Sequence, residues 1–113
     1  MRSVYIWPTL PSGPDPGDGG IRQVVRQQHR YLEDFGWRVV DDPETADVIA
    51  CHVEIPRAFR QRYGDKPFVV HNHGAYWHPD YEWWGWCYAA NVAVLEALRV
   101  ADVTTAVSEW TAH

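Results

Sequence analysis

Apolar residues fall in short runs closed by polar turns, and the runs alternate between two periods. Val4-Tyr-Ile-Trp7 is a run of strand-forming residues cut off by Pro8. Ile21, Val24, Val25, Tyr31, Leu32 and Phe35 then recur on one face of a 3.6-residue period, which predicts a helix. Gly36 stands where a left-handed C-terminal cap belongs. Trp37–Val40 predicts a second strand, ended by Asp41-Asp42-Pro43, and Asp47–Val53 predicts a third. Pro56–Tyr63 predicts a short helix, with proline in its first turn and Gly64 beyond its end. Pro67–His71 predicts a fourth strand, Tyr88–Ala101 a long apolar helix, and Asp102–Val107 a fifth strand. Ser108 reads as the N-cap of another helix.

Strand and helix alternate, and the strands are apolar throughout rather than at every second position. That combination predicts a parallel sheet covered on both faces: an α/β fold, Rossmann-like and doubly wound. The Val4–Trp7 strand is expected in the centre, with the second and third strands on one side and the fourth on the other. A chain of 113 residues has room for one domain. It stops at His113, one turn into its last predicted helix, so residues 1–113 are expected to be an incomplete domain.

Composition narrows the function. The net charge is −5 and the basic residues are scattered, whereas nucleic acid asks for a clustered positive face. No apolar run approaches the roughly 20 residues that cross a bilayer. The apolar part of the start, Met1 to Pro8, is too short for a signal peptide. Cys51 and Cys87 lack CxxC spacing and read as small buried side chains in a reducing compartment, so a cytoplasmic location is expected.

In a doubly wound sheet, ligands gather beyond the carboxyl ends of the strands. Three segments leave such ends: Pro8–Gly20, His73–Trp86 and Val107–Glu109. The first ends in Gly17-Asp-Gly19-Gly20 and enters a helix, whose free amides can hold a phosphate. Arg22 occupies the third glycine position of GxGxxG and no GK[ST] follows, so neither a dinucleotide fingerprint nor a P-loop is present. A flexible turn is the plainer reading of that loop. The stretch from His71 to Trp86 holds His71, His73 and His78 together with Trp77, Trp83, Trp84 and Trp86. His71 and His73 share one side of an extended segment, and with His78 or Asp80 they supply acceptable zinc donors. No second cluster completes a familiar zinc spacing. His29, His52 and His113 read as structural or solvent-facing. Trp83, Trp84 and Trp86 suit sugar stacking, a membrane interface or plain packing at a domain edge. There is no Gly-x-Ser-x-Gly elbow for a serine hydrolase.

A Gly-Gly loop opening a helix, then Pro67-x-Val-Val-x-x-His73-Gly74, then Ala101-Asp102-Val-Thr-Thr-Ala-Val107-Ser108-Glu109, form an ordered set across nearly the whole chain. In that order they resemble the N-terminal domain of GT-B glycosyltransferases, most closely the retaining group called family 4. The resemblance implies an acceptor-side domain of a hexosyltransferase that moves sugar from a nucleotide-sugar donor to a sugar or lipid-linked acceptor. It implies no metal and no cofactor, the nucleotide-sugar being a substrate. Gly19 and Gly20 match the turn that faces the donor diphosphate, and His73 matches the histidine beside the transferred sugar. Tyr76, Trp77, Ser108 and Glu109 would line the acceptor and sugar side. Most of the nucleotide site in such enzymes belongs to a second, C-terminal domain, which is absent from these 113 residues, and the complete enzyme can be peripheral to a membrane. By itself the chain is expected to be inactive. Two rivals remain: a carbohydrate or nucleotide-sugar binding module without chemistry, and a metal-dependent hydrolase built on His71, His73 and His78.

Overall fold

A computed structural model describes residues 1–10, 20–73 and 85–106. Five strands form one all-parallel sheet: β1 (Arg2–Trp7), β2 (Trp37–Val39), β3 (Val48–His52), β4 (Phe68–Asn72) and β5 (Val103–Ala106). Among the described residues three α-helices connect them: α1 (Gly20–Tyr31), α2 (Arg57–Arg62) and α3 (Gly85–Val100). The strand order is β2-β1-β3-β4-β5. This corrects one expectation: β1 lies between β2 and β3, and β4 pairs with β3 rather than with β1. The chain winds outward in opposite directions from the β1/β3 boundary, which is the topological switch point where open α/β sheets bind ligands.

Alternation along the strands sorts the core into two faces. Tyr5, Ile49, Cys51, Phe68 and Val70 point to one side, where Phe59 of α2, Tyr63 and Ala97 and Leu98 of α3 pack on them. Phe59 meets the rings of Tyr5, Trp7 and Tyr63 edge-on, with centroids 5.5–5.7 Å apart. Ile49, Cys51, Phe68 and Val70 are wholly buried, and each large apolar side chain so buried is worth about 1.5–3 kcal/mol. On the other face Val4, Ile6 and Ala50 pack against Val25, Ile21 and Leu32. The helices therefore cover both faces, as the apolar strands predict. β5 is the exception, being exposed along its length.

The first helix differs from its predicted form. Leu32–Phe35 tightens into a 3-10 turn, and Gly36 closes it at φ 87°, donating its N–H to Glu33 and Leu32 carbonyls. The stripe turned to the sheet is Ile21, Val25 and Leu32. Val24, Tyr31 and Phe35 lie on its flank and are exposed, Phe35 by 79%.

The tripeptide Ala-Asp-Val opens both β3 and β5, and both aspartates do the same work. The Asp47 carboxylate accepts the Ser3 backbone N–H at 2.8 Å while the Asp47 N–H bonds the Ser3 carbonyl. The Asp102 carboxylate accepts the Phe68 N–H at 2.8 Å while the Asp102 N–H bonds the Phe68 carbonyl. Each aspartate thus satisfies backbone groups at the amino edge of a neighbouring strand, where the ladder would otherwise leave them open. The Ser3 bonds hold the Asp47 carboxyl below the usual carboxylate range.

Candidate functional site

At the carboxyl edge, β3 and β4 end side by side, with His52 in register with His71. Residues two apart on a strand share a face, so His71 and His73 point to the same side as His52. The three rings stack: His52 lies 4.5 Å from His71 and 5.0 Å from His73, centroid to centroid, at interplanar angles of 26° and 30°. That side is the one α1 covers. Gln28 occupies the helical stripe between Val25 and Leu32, where periodicity calls for an apolar residue. Its amide reaches down into the histidines instead.

Among the described residues the polar contacts of the three rings join into one chain. Nε2 of His52 is 2.9 Å from Oε1 of Gln28, and Nδ1 of His52 is 2.7 Å from Nε2 of His73. Nε2 of Gln28 is 3.3 Å from Nε2 of His71, whose Nδ1 meets the Thr105 hydroxyl on β5. His52 is only 1% exposed, and burial together with its two histidine neighbours pushes its pKa down to about 3. Burial also lowers His71, helped by the charge of His73, and lowers His73. All three rings are therefore neutral near pH 7, each with one N–H and one bare nitrogen.

The backbone just beyond His52 is strained. Val53 has φ 75°, and the Glu54 N–H bonds the His52 carbonyl at 2.9 Å, closing a γ-turn. A β-branched residue rarely takes positive φ, at a cost of about 1–3 kcal/mol. Strain of this kind gathers where a fold holds a functional side chain. A groove of about 400 Å³ runs along the flank of α1, lined by Gln23, Val24, Gln27, Gln28 and Tyr31.

His73 lies one residue beyond β4, inside this cluster, and Gly20 is the first residue of α1. Gly19, Tyr76, Trp77, Ser108 and Glu109 lie outside the described residues, as do His78, Trp83 and Trp84. His52, read from the sequence as structural or solvent-facing, is buried, and both other histidines stack on it. Gln28 and Thr105 went unnoticed as well. A glutamine in an apolar helical stripe, and a histidine closing an apolar strand, are the two signals that point to them.

Among the described residues no three His, Cys, Asp or Glu side chains are arranged to hold a metal ion. The histidine rings lie face to face, and five of their six nitrogens are engaged by one another, by Gln28 and by Thr105. No helix among the described residues is long and apolar enough to cross a membrane. Compared with protein-family models, curated proteins and solved structures, the chain matches none.

Proposed function

We propose that the chain is the acceptor-side domain of a sugar-nucleotide-dependent glycosyltransferase. One observation carries the reading. All strands run parallel, so β1 and β4 leave the sheet at the same edge, on either side of β3. Gly20, at the entry to α1, and His73, after β4, therefore open on one edge beside the switch point.

The chemistry of that edge suits a diphosphate carrying a sugar. The first turn of α1 has no acidic residue, which suits an anion at the positive end of the helix dipole. A neutral, half-buried His73 can bond a sugar hydroxyl, which a charged ring would do less selectively. In the complete enzyme the donor sugar passes to an acceptor hydroxyl, on a sugar or a lipid-linked carrier, while charge develops on the departing diphosphate. This domain would contribute positioning and part of the stabilisation of that charge. A second domain would supply the rest of the nucleotide site.

The test is a titration of the chain with UDP-glucose and GDP-mannose, followed through the Gly20 amide and His73 ring resonances. Both should move with one midpoint, and His73→Ala should weaken binding without loss of fold. Movement of neither, or of residues at the amino edge alone, would end the proposal. An equal response to free hexose would favour a sugar-binding module without chemistry.

A further inference from the structure

The hydrogen bonds around His73 have a direction. With the Gln28 amide placed so that its carbonyl oxygen, which can only accept, faces His52, the proton on His52 sits on Nε2. Nδ1 of a neutral His52 is then bare, and it can only accept from Nε2–H of His73. On the other side the Gln28 amide can only donate, so Nε2 of His71 is bare and its Nδ1–H donates to the Thr105 hydroxyl. The chain thus runs from His73 through His52 to the Gln28 oxygen, and from the Gln28 nitrogen through His71 to Thr105. Turning the amide over would reverse every bond together, because no mixed arrangement satisfies both neutral rings that touch Gln28.

We infer that Gln28 and His52 are positioning residues that hold His73 in a single tautomer, Nε2–H, leaving its Nδ1 as a hydrogen-bond acceptor for a ligand hydroxyl. The ligand part of this inference rests on the glycosyltransferase reading; the tautomer does not. Three features support the lock. His52 is 1% exposed, so water cannot substitute for either of its partners. The bond to His73, at 2.7 Å, is short for a pair of ring nitrogens. Among the described residues Gln28, His52, His73 and Thr105 engage every ring nitrogen of the cluster except Nδ1 of His73.

Commonly a histidine is oriented by a carboxylate or a backbone carbonyl. Here the orienting group is another neutral histidine, fixed in turn by an amide. A carboxylate partner would stabilise a cationic ring; this arrangement keeps His73 neutral and able to accept. It selects for a ligand that offers O–H over one that offers only anionic oxygen.

The tautomers are read directly from two-bond nitrogen–proton correlation spectra of the unliganded chain labelled with ¹⁵N at histidine, near pH 7.5. His52 and His73 should carry the proton on Nε2, and His71 on Nδ1. Gln28→Glu should move the His71 proton to Nε2, since a carboxylate can only accept, while leaving His73 unchanged. Gln28→Leu should abolish the preference and give His52 and His73 mixed tautomers, with the backbone amide spectrum showing the fold intact. Should Gln28→Leu unfold the chain, the unsubstituted protein and Gln28→Glu decide the matter. His73 protonated on Nδ1 in the unsubstituted chain, or a His71 tautomer unmoved by Gln28→Glu, would overturn the lock. No ligand takes part in these measurements, so they decide it separately from the sugar-nucleotide titration.

Discussion

Acidification should unfold this protein through its histidines before its carboxylates. His52 protonates near pH 6.5 in the unfolded chain and only at about pH 3 in the fold, because burial and two histidine neighbours oppose its charge. A histidine with a depressed folded pKa leaves stability untouched above the unfolded value. Stability is then lost as pH falls between the two, since the unfolded state binds the extra proton. Integrating that difference for one site from about pH 6 to about pH 4 gives a loss of roughly 2.5 kcal/mol. At 1% exposure little solvent screening reduces it. His71 and His73 are shifted in the same direction and add to the loss. The Asp47 carboxyl, held low by Ser3, works in the same sense but only below the ordinary carboxylate range. Urea unfolding across that pH interval is the assay. With a slope of roughly 1–3 kcal/mol per molar for a small domain, the midpoint should drop by about 0.8–2.5 M. His52→Gln removes the titrating ring and keeps an N–H for Gln28, so its midpoint should start lower but depend on pH much less. A flat profile in the unsubstituted protein, or an equal slope in His52→Gln, would refute the reasoning.

Two further outcomes follow from the fold. Asp102→Ala strips the acceptor from the Phe68 N–H and should cost about 1–3 kcal/mol in urea unfolding, as for other hydrogen bonds to charged groups; a change of only a few tenths would show that water replaces the carboxylate. Burial pushes the Cys51 thiol up to about 12 and raises Cys87 as well. Neither should react with an aromatic disulfide near pH 8 until the chain is unfolded, and prompt stoichiometric labelling of the folded protein would contradict the packing around them.

Much of the local structure is legible in the order of residues because it depends on neighbours in sequence. The run Val4–Trp7, the periodic stripe after Gly20, the left-handed Gly36 and the proline before α2 each act over one or two turns of chain. Apolar strands alternating with helices also determine a parallel α/β sheet, since only burial on both faces rewards that pattern. Strand order is different. Placing β4 against β3 instead of β1 depends on which crossover packs best, and all the strands carry the same kind of apolar signature. The site divides in the same way. His73 stands out by its place after a strand, and Gly20 by its place before a helix. The place of His52 in the cluster does not show in sequence, because it arises from contacts with residues 19, 21 and 24 positions away: His71, His73 and Gln28. Gln28 breaks an apolar stripe, and only the packing of α1 over the ends of β3 and β4 turns that break into an amide bonded to His52 and His71. Periodicity marks which positions meet the sheet; tertiary structure alone decides which side chains meet there.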